Sequence, residues 1–384
     1  MLFGTAGGVW APHLPGCVVS KHPLRVRSAA EAHELLVPIT LELSPIRRLL
    51  LFDLADDPTY ATLEPQIVDD PAGDVLLLLA YRHDGHMELY LPSGRHIDPV
   101  GYAGLGKGLL GSYQGEFEQA RFEVTSEGLQ LEFAFTASNG RRFDLHLHEH
   151  LAGPRDRIAT LAPVGGTFET PEFFPFLWLP GLSFVPVRGT EVDVRVDGEA
   201  RSISRLPLPL GGRRCYMARY DPDVLVCLLN PESAQVAKRV PARVTAQPRV
   251  RGVEVVDTED GLGIRAVRVG RGGHTCAAVL EPPLPDVRSS RGSTQRSGSI
   301  LLQADDRTQL RGRYALTRTA ERVDLVIEGF GPWRARTRRP LLAVLFCLPV
   351  FRRWPTTYRG QATLDLTDTE HAPLTSRWSR CSLG

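Results

Sequence analysis

The 384-residue sequence has no CxxC pair, no Gly-x-Ser-x-Gly elbow, no intact phosphate-binding loop and no excess of one charge. Each absence removes a class of function. The six cysteines, Cys17, Cys215, Cys227, Cys276, Cys347 and Cys381, stand singly, which excludes a zinc or disulfide framework and leaves free thiols. Lys plus Arg total 45 against 44 for Asp plus Glu, so general attraction to nucleic acid has no support, and no nucleic-acid partner is expected. The apolar runs at 173–187 and 341–351 are cut by Pro175, Pro180, Pro186 and Pro349, so neither reads as a membrane span. Residues 1–10 lack the basic and apolar regions of a secretory leader, which makes a cytoplasmic location the default expectation. Gly104 and Gly106 begin a GxGxxG pattern that fails at Leu109, and Lys107 precedes Gly108 where Ser or Thr is needed. No cofactor and no metal are expected. The acidic pairs Asp56-Asp57, Asp69-Asp70 and Asp305-Asp306 sit in turn-like contexts, which favours solvated turns over a catalytic dyad.

What the chain does have is strand periodicity. Its hydrophobic fraction of 42% and charged fraction of 23% are those of a soluble globular protein, and its length suits two ordinary domains. Leu129, Leu131, Phe133 and Phe135 share one face of a strand, Asn139-Gly140 makes a hairpin turn, and Phe143, Leu145 and Leu147 share a face of the returning strand. Residues 75–81 and 87–91 form another hairpin around Asp84-Gly85, and strands follow at 215–220, 224–229, 253–256, 263–269 and 275–280. Helical signal is slight: Ser28 is a fair N-cap for 28–36, and 47–54 suits either element. The fold class is therefore mainly β, with antiparallel sheets and few short helices.

A set of landmarks recurs. Gln130-Leu131, Asp144-Leu145, Gly153-Pro154 and Arg188-Gly189 return as Gln309-Leu310, Asp324-Leu325, Gly331-Pro332 and Arg359-Gly360, at offsets of 179, 180, 178 and 171 residues. The expectation is one β-module used twice by internal duplication. That divides the chain into an irregular arm at 1–30, a first β-domain at 31–198, a second at 199–370 with a flexible loop at 281–299, and a tail at 371–384.

Three groups of residues are candidates for function. His146, His148 and His150 alternate on a strand, so their imidazoles share one face, from which two nitrogens can hold a metal or one can move a proton. The bland alternative is a solvated face. Phe174, Phe176, Trp178 and Phe184 fall in one excursion between strands, and Trp333 and Trp354 fall in its counterpart, so these six could line a pocket for an apolar ligand or simply plug a core. Arginines at Arg334, Arg336, Arg338 and Arg339, with Arg352 and Arg353, could touch lipid phosphates in a peripheral membrane contact.

This strand-rich repeat within one chain resembles, in layout, the lipocalin-like double β-barrels of the hydroxyneurosporene synthase and tocopherol cyclase type. The Gly-Pro and Arg-Gly landmarks are also similar to those of a bacterial family with no assigned activity. The resemblance implies two barrel or sandwich domains and a hydrophobic small-molecule partner, such as a lipid or isoprenoid. It carries no catalytic residue onto this chain. Two functions are therefore expected: a protein binding such a molecule, or an enzyme that hydrates, cyclises or isomerises it with one of the three histidines as acid or base.

Overall fold

Apolar alternation folds most of the chain into strands, which the computed structural model describes over residues 34–71, 73–96, 111–151, 153–162, 173–231, 235–244, 250–288, 294–330, 340–347, 357–368 and 371–381. The first fifteen are β1 (Glu34–Val37), β2 (Leu41–Leu43), β3 (Ile46–Asp53), β4 (Tyr60–Val68), β5 (Val75–Arg82), β6 (His86–Leu91), β7 (Gly111–Val124), β8 (Leu129–Thr136), β9 (Arg142–Glu149), β10 (Ile158–Leu161), β11 (Phe174–Pro186), β12 (Thr190–Val196), β13 (Glu199–Arg201), β14 (Cys215–Asp221) and β15 (Leu225–Leu229). All but β1 form one sheet in the order β13-β12-β9-β8-β7-β6-β5-β4-β3-β14-β11-β15-β2, with β10 paired to β11 off that path.

This sheet covers itself. β7 pairs in parallel with β6 over residues 111–116 and antiparallel with β8 over 117–124. The inward residues of β8 and β9 then pack on one face of β3 to β6: Phe133, Phe135 and Phe143 share a cluster with Phe52, Leu78 and Tyr90. Phe135 and Phe143 stack with ring centroids 4.8 Å apart. The opposite face of β5 and β6, with Leu77, Leu79, Met87 and Leu89, belongs to another cluster. β5 is thus buried on both faces, which is why its residues are apolar at successive rather than alternate positions. Each such Leu or Phe, taken from water to full burial, contributes about 1.5–3 kcal/mol.

The second sheet is a meander of β18 (Gly252–Thr258), β19 (Gly261–Arg271), β20 (His274–Pro285), β21 (Thr294–Ala304), β22 (Arg307–Arg318), β23 (Arg322–Glu328), β24 (Thr357–Asp365) and β25 (Pro373–Cys381), with β16 (Gln235–Val236) on the β25 edge. β17 (Lys238–Pro241) pairs with β1, and helix α1 (Pro340–Phe346) lies between β23 and β24 in sequence. Leu302, Leu316, Leu325 and Trp378 face the same cluster as Leu77 and Leu79, so the two sheets share one core. Trp378 Nε1 donates to the Asn230 carbonyl at 2.8 Å and fixes a β25 side chain to the end of β15.

The mainly β class with few helices holds, but the barrels do not. Among the described residues neither sheet closes, since β13 and β2 at the ends of the first path, and β16 and β18 at the ends of the second, do not pair with each other. A barrel must join its first and last strands. Here both faces of β5 and β6 are already buried, one under the fold-over and one in the core that the two sheets share. The two landmark series fall on β8 and β22, then on β9 and β23. The last pair differs, because Arg188-Gly189 lies in the turn before β12 whereas Arg359-Gly360 lies inside β24. Gly331-Pro332, residues 1–30 and the glycine-rich 101–108 lie outside the described residues.

Several boundaries fall differently from the sequence expectation. Strand pairing crosses 198/199, for β14 pairs with β3 and β11, and β15 with β11 and β2. Most of 281–299 is strand, since β20 runs to Pro285 and β21 begins at Thr294. The expected tail supplies β25, and residues 34–36 of the expected helix belong to β1.

Candidate ligand cleft

Among the described residues, the expected pocket aromatics fall in two places. Phe174 and Phe176 are buried in the core between the sheets, and the Phe174 ring lies 4.5 Å from that of Phe330 and 5.4 Å from that of Trp378. Trp178 is also buried, with Nε1 donating to Asp305 Oδ2 at 3.1 Å. Trp333, Trp354 and the arginines from Arg334 to Arg353 lie outside the described residues. His146 and His148 project from the face of β9 opposite Phe143, Leu145, Leu147 and Glu149, toward solvent, and His150 follows the strand's end, exposed. Among the described members of the aromatic set, Phe184 is the one that lines the cleft between β10, β11 and α1.

That cleft has a volume of about 220 Å³ and is walled mainly by Leu151, Ile158, Phe184, Pro186, Leu210 and Leu342. Its walls come from distant parts of the chain. Leu151 and residues 153–157 lie between β9 and β10, where Ile158 stands opposite Leu182 of β11. Leu210 and Arg213 exchange backbone hydrogen bonds of 2.9 Å across Gly211-Gly212, which presents both side chains at the rim before Cys215 starts β14. Leu342 of α1 completes the wall and is 3% exposed. Burial pushes the Cys215 thiol up, so the cleft's sulfur is a poor nucleophile at neutral pH.

Polar groups enter at Arg155, Asp156 and Arg213. The Arg155 side chain is only 8% exposed and forms a short ion pair with the fully buried Glu149. Its guanidinium carbon sits 4.9 Å over the Tyr220 ring. Burial, with the nearby Arg157 charge, draws Arg155 down to about 10, and it stays cationic at neutral pH. Glu149 Oε2 also accepts from Leu129 N at 3.1 Å, but Glu149 Oε1 and Arg155 Nη1 are buried with no hydrogen-bond partner among the described residues. Arg155 thus stands at the cleft wall as a cation whose Nη2 is paired with Glu149 while its Nη1 has no acceptor among the described residues.

One signal of this site stands in the sequence. Glu149 occupies the inward parity of β9 beside Phe143, Leu145 and Leu147, and a charged residue in that position requires a buried partner. Leu210 and Leu342 gave no such signal, because long-range packing alone brings them together. No helix among the described residues is long and apolar enough to cross a membrane. No protein family, curated protein or solved structure matches this chain.

Proposed function

We propose that this protein binds a small, largely apolar molecule bearing an anionic oxygen at one end, held in the cleft between β10, β11, the 210–213 turn and α1. The observation that carries this reading is Arg155, a nearly buried guanidinium whose Nη1 lacks an acceptor among the described residues, at a mainly apolar wall that Asp156 and Arg213 also reach. The apolar residues supply affinity through area removed from water, and the arginine selects the end group. A volume of about 220 Å³ suits a short-chain amphiphile or the end of a longer lipid or isoprenoid chain. The free, buried Cys215, Cys227 and Cys276 fit a reducing, cytoplasmic setting.

Native mass spectrometry of protein purified without denaturant tests the reading. The expected result is one retained lipid-like acid per chain, lost when Leu210→Glu places a charge in the apolar wall. A wild-type chain that carries no adduct and takes up none from a mixture of fatty and isoprenoid acids would overturn it.

A further inference from the structure

A second constellation lies on the solvent face of the first sheet. One ligand atom each from Glu127, His148 and His150 falls within 4.8 Å of the other two. The two imidazole rings are 4.0 Å apart between centroids. Glu127 comes from the turn between β7 and β8, His148 from β9 and His150 from the residue after it, so three donors of two chemical kinds converge from separate positions. Glu191 of β12 adds a carboxylate whose Oε1 is 4.0 Å from His150 Nε2. The Gln130 amide lies 3.2 Å from His148 Nε2, on which it holds a lone pair that a cation would take over.

The backbone beneath these side chains is pinned. Leu151 N donates to the Glu127 carbonyl at 2.6 Å, and His150 N donates to the Gly189 carbonyl at 2.6 Å. Gly128 has φ +146°, and an added Cβ would collide with the Glu149 carbonyl oxygen; Gly189 has φ +81°, and a Cβ there would lie 2.8 Å from the His150 oxygen. Two turns are thus pressed onto the end of β9 as only glycine permits. The ligand-bearing backbone is set before any ion arrives, while the exposed Glu127 and His150 side chains have room to close. Tetrahedral ligands at bonds of about 2.0–2.1 Å stand about 3.3 Å apart, which a change of rotamer reaches from here.

We propose that Glu127, His148 and His150, with Glu191 as a further ligand, bind a divalent metal ion of the zinc class. Two imidazoles and a carboxylate form a borderline donor set that suits zinc or cobalt better than calcium or magnesium. This proposal is independent of the apolar cleft, since it concerns the opposite face of β9.

The test is titration of metal-free full-length protein with cobalt(II), followed by its visible absorption, and then by zinc competition. The expected result is one cobalt per chain, displaced by zinc. His148→Ala and His150→Ala should each weaken binding at least about tenfold, and Glu127→Gln should weaken it measurably. His146→Ala, on the same face but outside the cluster, should leave binding unchanged. All four variants are of outward side chains, and circular dichroism checks that they fold. The proposal is overturned if cobalt does not bind at micromolar concentrations, or if its affinity survives loss of both His148 and His150, which would put the ion elsewhere, as at the exposed Cys347.

Discussion

Arg155 Nη2 and Glu149 Oε2 meet in an ion pair whose carboxylate is fully enclosed, at the point where the chain leaves β9 for the cleft. Removing one member of such a pair strands the other charge in a medium that solvates it poorly. Arg155→Met should therefore destabilise the fold by about 3–5 kcal/mol in urea unfolding. The double variant Arg155→Met with Glu149→Gln removes both charges and keeps an acceptor for Leu129 N. It should recover most of that loss.

Glu88 is 1% exposed and collects hydrogen bonds from Tyr60 Oη at 2.9 Å, Ser138 Oγ at 2.6 Å and, over a shorter contact, Tyr90 Oη. Burial acts to raise its carboxyl, but Ser138, Tyr90 and Tyr60 together hold it below the ordinary range. Each phenol donates to a charged group, so Tyr60→Phe and Tyr90→Phe should each cost about 1.5–3 kcal/mol. Because they share one acceptor, a double-mutant cycle should depart from additivity by at least about 0.5 kcal/mol. A strictly additive pair would contradict the shared network.

Asp221 behaves in the opposite sense. Its side chain is enclosed and accepts from Gly181 N at 2.9 Å and Asp223 N at 2.8 Å, yet burial raises its carboxyl to about 6. The folded state then holds a proton that the unfolded chain, with a value near 3.9, has released. Stability from this group is complete below about pH 4 and is lost as pH rises through 6, by about 3 kcal/mol in all. Subtracting the stability of Asp221→Asn from that of the wild type across pH 4–7 should isolate this decline; a flat difference would refute it.

Two glycines with positive φ should respond unequally to alanine. At Gly140 a Cβ meets nothing within 4 Å, so only the backbone penalty applies, about 1 kcal/mol. At Gly128 the Cβ would strike the Glu149 carbonyl oxygen. Gly128→Ala should cost at least about 2 kcal/mol more and should also weaken cobalt binding by displacing Glu127.

Where local chemistry decides the structure, the sequence was readable. Asn139-Gly140 makes its turn, with Gly140 at φ +82°, and the parity of β9 turns His146 and His148 outward as the solvated alternative required. β11 differs from the expected excursion between strands, for it is itself a strand despite Pro175, Pro180 and Pro186. The strand tolerates them by changing partners, pairing with β15 over 174–178, with β10 up to Leu182, and with β14 from Ser183. The same long-range pairing that absorbs the prolines draws Phe174 and Trp178 into the core and leaves Phe184 at the cleft. Glu127 was hidden for a simpler reason: it lies twenty-one residues before His148, and only the β8–β9 register, with Gln130 opposite His148, brings the preceding turn beside the histidines.

The cleft reading is tested most directly by calorimetric titration of decanoate and of its methyl ester into the wild type and into the charge-neutral Arg155→Met, Glu149→Gln variant. The account predicts that the acid binds the wild type at least about tenfold more tightly than the ester, and that this preference disappears in the variant, as loss of a charge-assisted contact of about 1.5–3 kcal/mol requires. Equal affinity of acid and ester for the wild type, or an acid preference that survives in the variant, would contradict it.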